Sequence, residues 1–145
     1  MTTALQINTN GTTDLITIPK ENGHEVIQRV VDGWFDVVRG DEVIVYVNDE
    51  GLLIDGMEPN VLASWMTERV IFGNVLVVGC LNEKGVYDGD DHDVPQAYVT
   101  VAQMRAWEMN NNEDLRQRVI DGRNEIMEDP VQVYTQNEDG EWVRA

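Results

Sequence analysis

Four carboxylates and an imidazole fall within six residues at Asp88-Gly89-Asp90-Asp91-His92-Asp93. Oxygens at that density could hold a hard cation such as Ca²⁺, and His92 adds a nitrogen that a transition ion would accept. Asp88, Asp90, Asp91, His92 and Asp93 are therefore the candidate metal ligands. The stretch departs from the D-x-D-x-D-G order and closing glutamate of an EF-hand loop, and an acid-rich turn exposed to water has the same composition. Nucleophilic chemistry has less to draw on. Ser64 and Cys80 are each the single residue of their type, and His24 and His92 are the only imidazoles. They are far apart in sequence, and no nucleophile–base–orienter set can be read from them. Cys80 lies in an apolar run, where a thiol acts as a small hydrophobe, and a single cysteine forms no intramolecular disulfide. The reading is a non-enzyme with no cofactor implied.

The charge balance points to a different kind of chemistry. The chain carries 27 Asp and Glu against 10 Lys and Arg, a formal net charge of -17. Binding nucleic-acid phosphates requires a Lys/Arg stripe, which this composition does not supply. The fitting partner is a protein that is basic or that itself binds DNA. Two acidic stripes could present such a surface. Asp114, Asp121, Glu125 and Glu128 step by 7, 4 and 3 along one expected helix. Glu21, Glu25, Asp32 and Asp36 step by 4, 7 and 4 in an earlier segment. Carboxylates spaced like phosphates would make the protein a DNA mimic, whereas the same spacing, interleaved with Arg116, Arg118 and Arg123, also describes an ordinary solvated helix. Trp34, Trp65, Trp107 and Trp142 offer a third possibility, anchoring a partner or a second copy. Trp142, beside an expected C-terminal hairpin, is the candidate outside the core.

These residues need elements to position them. A chain of 145 residues fits one domain, residues 1–145, large enough to bury its own core. Strands are expected at Ala4–Ile7 and Leu15–Ile18, joined through the hairpin dipeptide Asn10-Gly11. A helix follows with Asn22 as N-cap and Val26, Ile27, Val30 and Val31 as its apolar stripe, stopping at Gly33. Trp34–Val38 and the β-branched run Val43–Val47 are the next strands, with Arg39-Gly40-Asp41 as the turn between them. After a tight turn and a short strand at 52–54, Pro59 in a first helical turn opens a helix burying Val61, Leu62, Trp65 and Met66. Ile71–Phe72 and Val75–Leu81 follow as strands, the latter apolar on both faces and so central. Residues 82–95 read as a polar loop. The capping-box spacing of Thr100 and Gln103 starts a helix running to about Met109, and Asn110–Asn112 breaks it. Glu113-Asp114 opens a last helix with Leu115, Val119, Ile120, Ile126 and Met127 on one face, and Asp129-Pro130 ends it. Strand runs at Val131–Thr135 and Glu141–Arg144 close the chain. Asn48–Gly51, Asn82–Gly85 and Asn137–Gly140 repeat one turn form, Asn-x-x-Gly, after three of these runs. The fold class is a single α+β domain with a mainly antiparallel sheet and three or four helices, its core in 14–81 and a helical and hairpin segment in 97–145.

The stretch Val45-Tyr-Val-Asn-Asp-Glu-Gly-Leu52, then Gly56, Pro59-Asn60 and Ala63, then Gly73-Asn-Val-Leu-Val-Val-Gly79, resembles a family of domains of unknown function. That family occurs as small acidic proteins in phages, plasmids and actinobacteria. The resemblance spans about residues 43–81 and carries no activity with it, so what it implies is a context of phage or mobile-element accessory genes. The expected function is stoichiometric binding of a host protein that is basic, DNA-binding or defensive, with an acidic DNA-mimic inhibitor as the specific form, in the host cytoplasm and without direct nucleic-acid or membrane contact. No apolar run reaches the ~20 residues of a membrane helix. The alternatives are a cation-binding or enzymatic domain built on residues 88–93, and a self-associating structural module.

Overall fold

The computed structural model describes residues 1–51, 54, 56–109, 113–128, 134–136, 138 and 142–144, with side chains except at 107–109, 115, 125–128, 134–136 and 142–144. In chain order the elements are β1 (Thr2–Ile7), β2 (Thr13–Ile18), α1 (Gly23–Val31), β3 (Phe35–Arg39), β4 (Val43–Asn48), α2 (Val61–Thr67), β5 (Val75–Leu81), β6 (Tyr87–His92), α3 (Gln96–Met109), α4 (Glu113–Glu128), β7 (Tyr134–Gln136) and β8 (Trp142–Arg144). This is an α+β domain built on a six-stranded sheet, in which every pairing is antiparallel and the strand order is β2-β1-β5-β4-β3. β6 also pairs with β5, beyond the end of β1. β7 and β8 form a separate hairpin.

The sheet is covered on both faces, which is why β4 and β5 are apolar at nearly every position. Val43, Val45, Val47, Val75 and Val77 point to one side and pack with Leu62 and Ala63 of α2 and Val99, Ala102 and Ala106 of α3. Ile44, Tyr46, Leu76, Val78 and Cys80 point to the other, where Ile27 of α1 and Ile18 of β2 complete the cluster. The period-2 alternation of each strand thus serves two cores at once. α4 packs outside α2, with Val119 buried.

Buried asparagines and glycines knit the layers together. Asn60 is wholly buried; its amide donates to the carbonyls of Ile7 (3.0 Å) and Gly73 (2.9 Å), and its oxygen accepts from the N–H of Ala63 as the N-cap of α2. Asn48 donates to the Val31 and Asp32 carbonyls at the end of α1, while its oxygen accepts from the N–H of Glu50. The Asn82–Gly85 turn is the bulged form, with Gly85 at φ 73° and Asn82 accepting from Lys84 and Val86. At 48–51 the glycine answers a need for space instead, because a Cβ on Gly51 would come within 2.9 Å of the Phe72 carbonyl.

Several expectations change. Residues 87–92 form a strand, not a loop. Asn22 sits at φ 59° and makes no side-chain cap bond. Pro59 lies ahead of the α2 cap, bridged to Phe72, so no separate strand forms at Ile71–Phe72. The buried face of α2 is Leu62, Ala63 and Ser64, and Trp65 is 39% exposed. α3 starts at Gln96, four residues before the capping-box position, and the Thr100 hydroxyl donates back to the Gln96 carbonyl within the helix. The core extends past residue 81, taking in Val94, Val99, Ala102 and Ala106. Residues 52 and 53 of the short strand expected at 52–54, the break at 110–112, the stop at 129–130 and the turn at 137–140 apart from residue 138 lie outside the described residues.

Candidate partner-binding groove

The acidic stretch 88–93 is spread along β6 rather than gathered around a point. Three of its carboxylates meet protein groups: Asp88 pairs with Nε2 of His92 at 2.8 Å, Asp91 accepts from the Tyr46 hydroxyl at 2.6 Å, and Asp93 accepts from the Thr3 N–H at 2.7 Å. Among the described residues no group of three or more His, Cys, Asp or Glu side chains could hold a metal ion. The Asp88–His92 pair leaves its mark on both partners. The hydrogen bond to His92 holds the Asp88 carboxyl below its ordinary range, and the bond from Asp88 raises the His92 imidazole. Burial, with the nearby Asp91 carboxylate, pushes the Tyr46 phenol upward.

Both potential nucleophiles lie inside the protein. Ser64 is buried, with its hydroxyl donating to the Ile71 carbonyl and accepting from the Ile71 N–H. Cys80 is buried in the core beneath α1.

The two acidic stripes belong to different layers. Glu25 is exposed on α1, and Asp32 caps that helix in the left-handed region, while Asp114 and Asp121 are exposed on α4, which packs on α2 across the sheet. The side chains of Glu125, Glu128 and Trp142 lie outside the described part of the structure. Arg116 and Arg123 of α4 reach neighbouring segments, Arg116 to Glu58 at 2.7 Å in an exposed pair and Arg123 to the Ile54 carbonyl and over the Phe72 ring. Of the tryptophans whose side chains are described, Trp34 is the most exposed, at 74%.

A different set of acids surrounds one feature. Helices α2 and α3 cover the middle of their face of the sheet but stop short of β3, leaving a groove between the β3–β4 hairpin and the segment after α2. It consists of two adjoining hollows of about 560 and 590 Å³ that share Val38 and Arg69. Its floor is apolar, from Val38, Val43, Val45 and Val47, and Met66, Val70 and Tyr98 line its far wall. Burial of Tyr98 pushes its phenol up to about 12. Asp36, Asp49 and Glu50 rim one hollow, and Asp41, Glu42 and Glu68 the other; all six are exposed. Among the described residues Arg39 and Arg69 are the only basic ones that line it, so the rim is strongly anionic.

Sequence reasoning identified only Asp36 among these six. A signal was present, since the acidic pairs Asp41-Glu42 and Asp49-Glu50 bracket the strand Val43–Asn48. A hairpin brings both pairs to the boundary of one surface.

A family model described as a domain of unknown function (DUF3846) matches residues 1–100. The match reaches well beyond 43–81 at both ends, taking in β1 through the start of α3. No curated protein and no solved structure matches the chain.

Proposed function

The chain belongs to the DUF3846 family, domains of unknown function, and from that premise we propose that it acts by stoichiometric binding of a basic protein, without turnover. The observation that carries this reading is the groove beside β3, where an apolar floor is ringed by six exposed carboxylates. Apolar area supplies affinity and the charged rim supplies orientation and rate of encounter, the division of labour found at protein interfaces. A net charge of -17 extends the same field over the whole molecule and steers cationic surfaces toward it. Burial of Ser64 and Cys80 favours binding over nucleophilic catalysis. The context implied by the resemblance makes the partner a host protein, DNA-binding or defensive, met by a phage or mobile-element product in the host cytoplasm. Among the described residues no helix is long and apolar enough to cross a membrane.

A DNA mimic is the special case in which the acids occupy the partner's DNA groove. The stripes on α1 and α4 lie in opposite layers, so a mimic surface would use one of them or the groove rim, not both together.

The test compares the wild-type protein with a variant carrying Asp36→Lys, Asp41→Lys and Glu68→Lys, each tagged and incubated with host lysate. The expected result is one protein captured by the wild type, released as salt rises, and lost from the variant. Displacement of that protein by duplex DNA would identify mimicry. Equal capture by both forms would remove the groove from the reading.

A further inference from the structure

We infer that the groove receives an extended, basic segment of the partner, which adds to the free edge of β3 as a further antiparallel or parallel strand. This rests on the protein-binding reading above and names the mode of binding.

The backbone geometry supplies the first reason. Asp49 N–H donates to the Trp34 carbonyl and Gly40 N–H to the Val43 carbonyl at the two ends of the β3–β4 pairing. With the register Phe35↔Asn48 through Arg39↔Ile44, antiparallel alternation makes Asp36 and Val38 the inward-bonded residues. Phe35, Val37 and Arg39 therefore direct their N–H and C=O groups away from β4. Among the described residues no strand pairs with that side of β3. Five residues of strand offer an edge about 17 Å long.

The side chains supply the second. On the α1 side of the sheet β3 is already furnished: Phe35 packs edge-on to Tyr46 at 5.2 Å, and Arg39 stacks 4.3 Å from the centre of the Tyr87 ring. On the groove side Val38 is only half-buried and Asp36 is exposed. A strand laid along β3 would place every second side chain over this open floor, the arrangement by which strand addition combines main-chain affinity with side-chain selection.

Charge decides the occupant. A second copy of this chain would bring Asp36 against Asp36 and one anionic rim against another, which is repulsive at close range. A segment rich in Lys or Arg meets six carboxylates instead. Asp36 also guards the edge, since its Oδ1 accepts from the Val37 N–H at 2.8 Å. A cationic residue on the incoming strand draws that carboxylate aside and frees the donor, so a neutral strand is disfavoured at the same point. The opposite edge, β2, exposes Leu15 but borders neither of these two hollows.

The probes are capped eight-residue peptides of alternating Lys and Val, the same peptide N-methylated at every second residue in each of the two frames, and a Glu/Val counterpart. Calorimetry at low salt should show 1:1 binding of the Lys/Val peptide and none of the Glu/Val peptide. One N-methylated frame should bind at least tenfold more weakly than the other, because only one frame turns its N–H groups toward β3. Amide exchange at Phe35 and Arg39 should slow on binding. Val37→Pro, which removes an outward N–H and no ladder bond, should also weaken binding at least tenfold while keeping the wild-type circular dichroism. Equal affinity of both methylated frames and the parent would overturn strand addition and leave charge-led binding standing. Absence of any Lys/Val binding would overturn strand addition too. In that event, loss of the lysate partner from the triple Lys variant would still uphold binding through the groove, and its retention would place protein binding elsewhere on the molecule.

Discussion

The side chain of Asn60 joins three parts of the chain that are distant in sequence, through the carbonyls of Ile7 and Gly73 and the N–H of Ala63. Asn60→Ala would leave these three buried groups without that partner. Since each such group costs about 1–3 kcal/mol and relaxation recovers part of it, a loss of about 3 kcal/mol in urea unfolding is expected. A change below about 1 kcal/mol would mean that water replaces the amide. His92 offers a second test at this scale. Its folded pKa is raised above 6.5, so the pair with Asp88 contributes fully below that value and the contribution fades as pH rises through the folded pKa. The Asp88 pKa is lowered below 3.8, so its contribution is present above that value and lost as pH falls through the folded pKa. The pair therefore acts most strongly between about pH 4 and 6.5. In Asp88→Asn the NMR titration midpoint of His92 should fall; an unmoved midpoint would show that another group sets it.

At the scale of elements, β6 depends on close backbone approach. A Cβ on Gly79 would run into the carbonyl of Asp93, a rigid backbone atom, where β6 leaves the sheet. Gly79→Ala should therefore cost more than about 2 kcal/mol, whereas Gly85→Ala, with open space but φ 73°, should cost about 1 kcal/mol. Comparable losses would mean that β6 shifts freely. The same strand shows where sequence reading fails. Val43–Asn48 and Val75–Leu81 are legible because both faces are apolar, and a period of two does not depend on distant partners. Tyr87–His92 has aspartates and a glycine where β-formers are expected; it becomes a strand because β5 leaves an open edge beyond the end of β1. The capping spacing of Thr100 and Gln103 points to too late a start for α3, whereas Tyr98 and Val99 N–H bond to the carbonyl of Pro95, which marks the true start. The groove was the least legible feature. It is made by what α2 and α3 fail to cover, and a helix's reach across a sheet is set by packing rather than by its own residues.

For the whole molecule, the charge has a consequence that salt can expose. Like-charged copies repel at low ionic strength, and the ~10 Å screening length at 0.1 M shortens to ~3 Å at 1 M. Asp36→Val removes both the local cap on Val37 and one charge from the edge. This variant should associate at high salt, measured by sedimentation, under conditions where the wild type shows less association. Equal behaviour would show that Asp36 does not guard the edge. The order of strands has a different consequence, concerning time. β1 pairs with β2 at once, but its other side waits for β5, since Leu5 stands opposite Val77, about 70 residues further along. At roughly 5–20 residues per second on the ribosome, the newborn hairpin spends several seconds with Ala4, Leu5 and Ile7 lacking their β5 neighbours. A nascent chain paused before residue 75 is therefore a natural client for a holding chaperone, and synonymous codons that slow translation through 19–74 would lengthen that dependence.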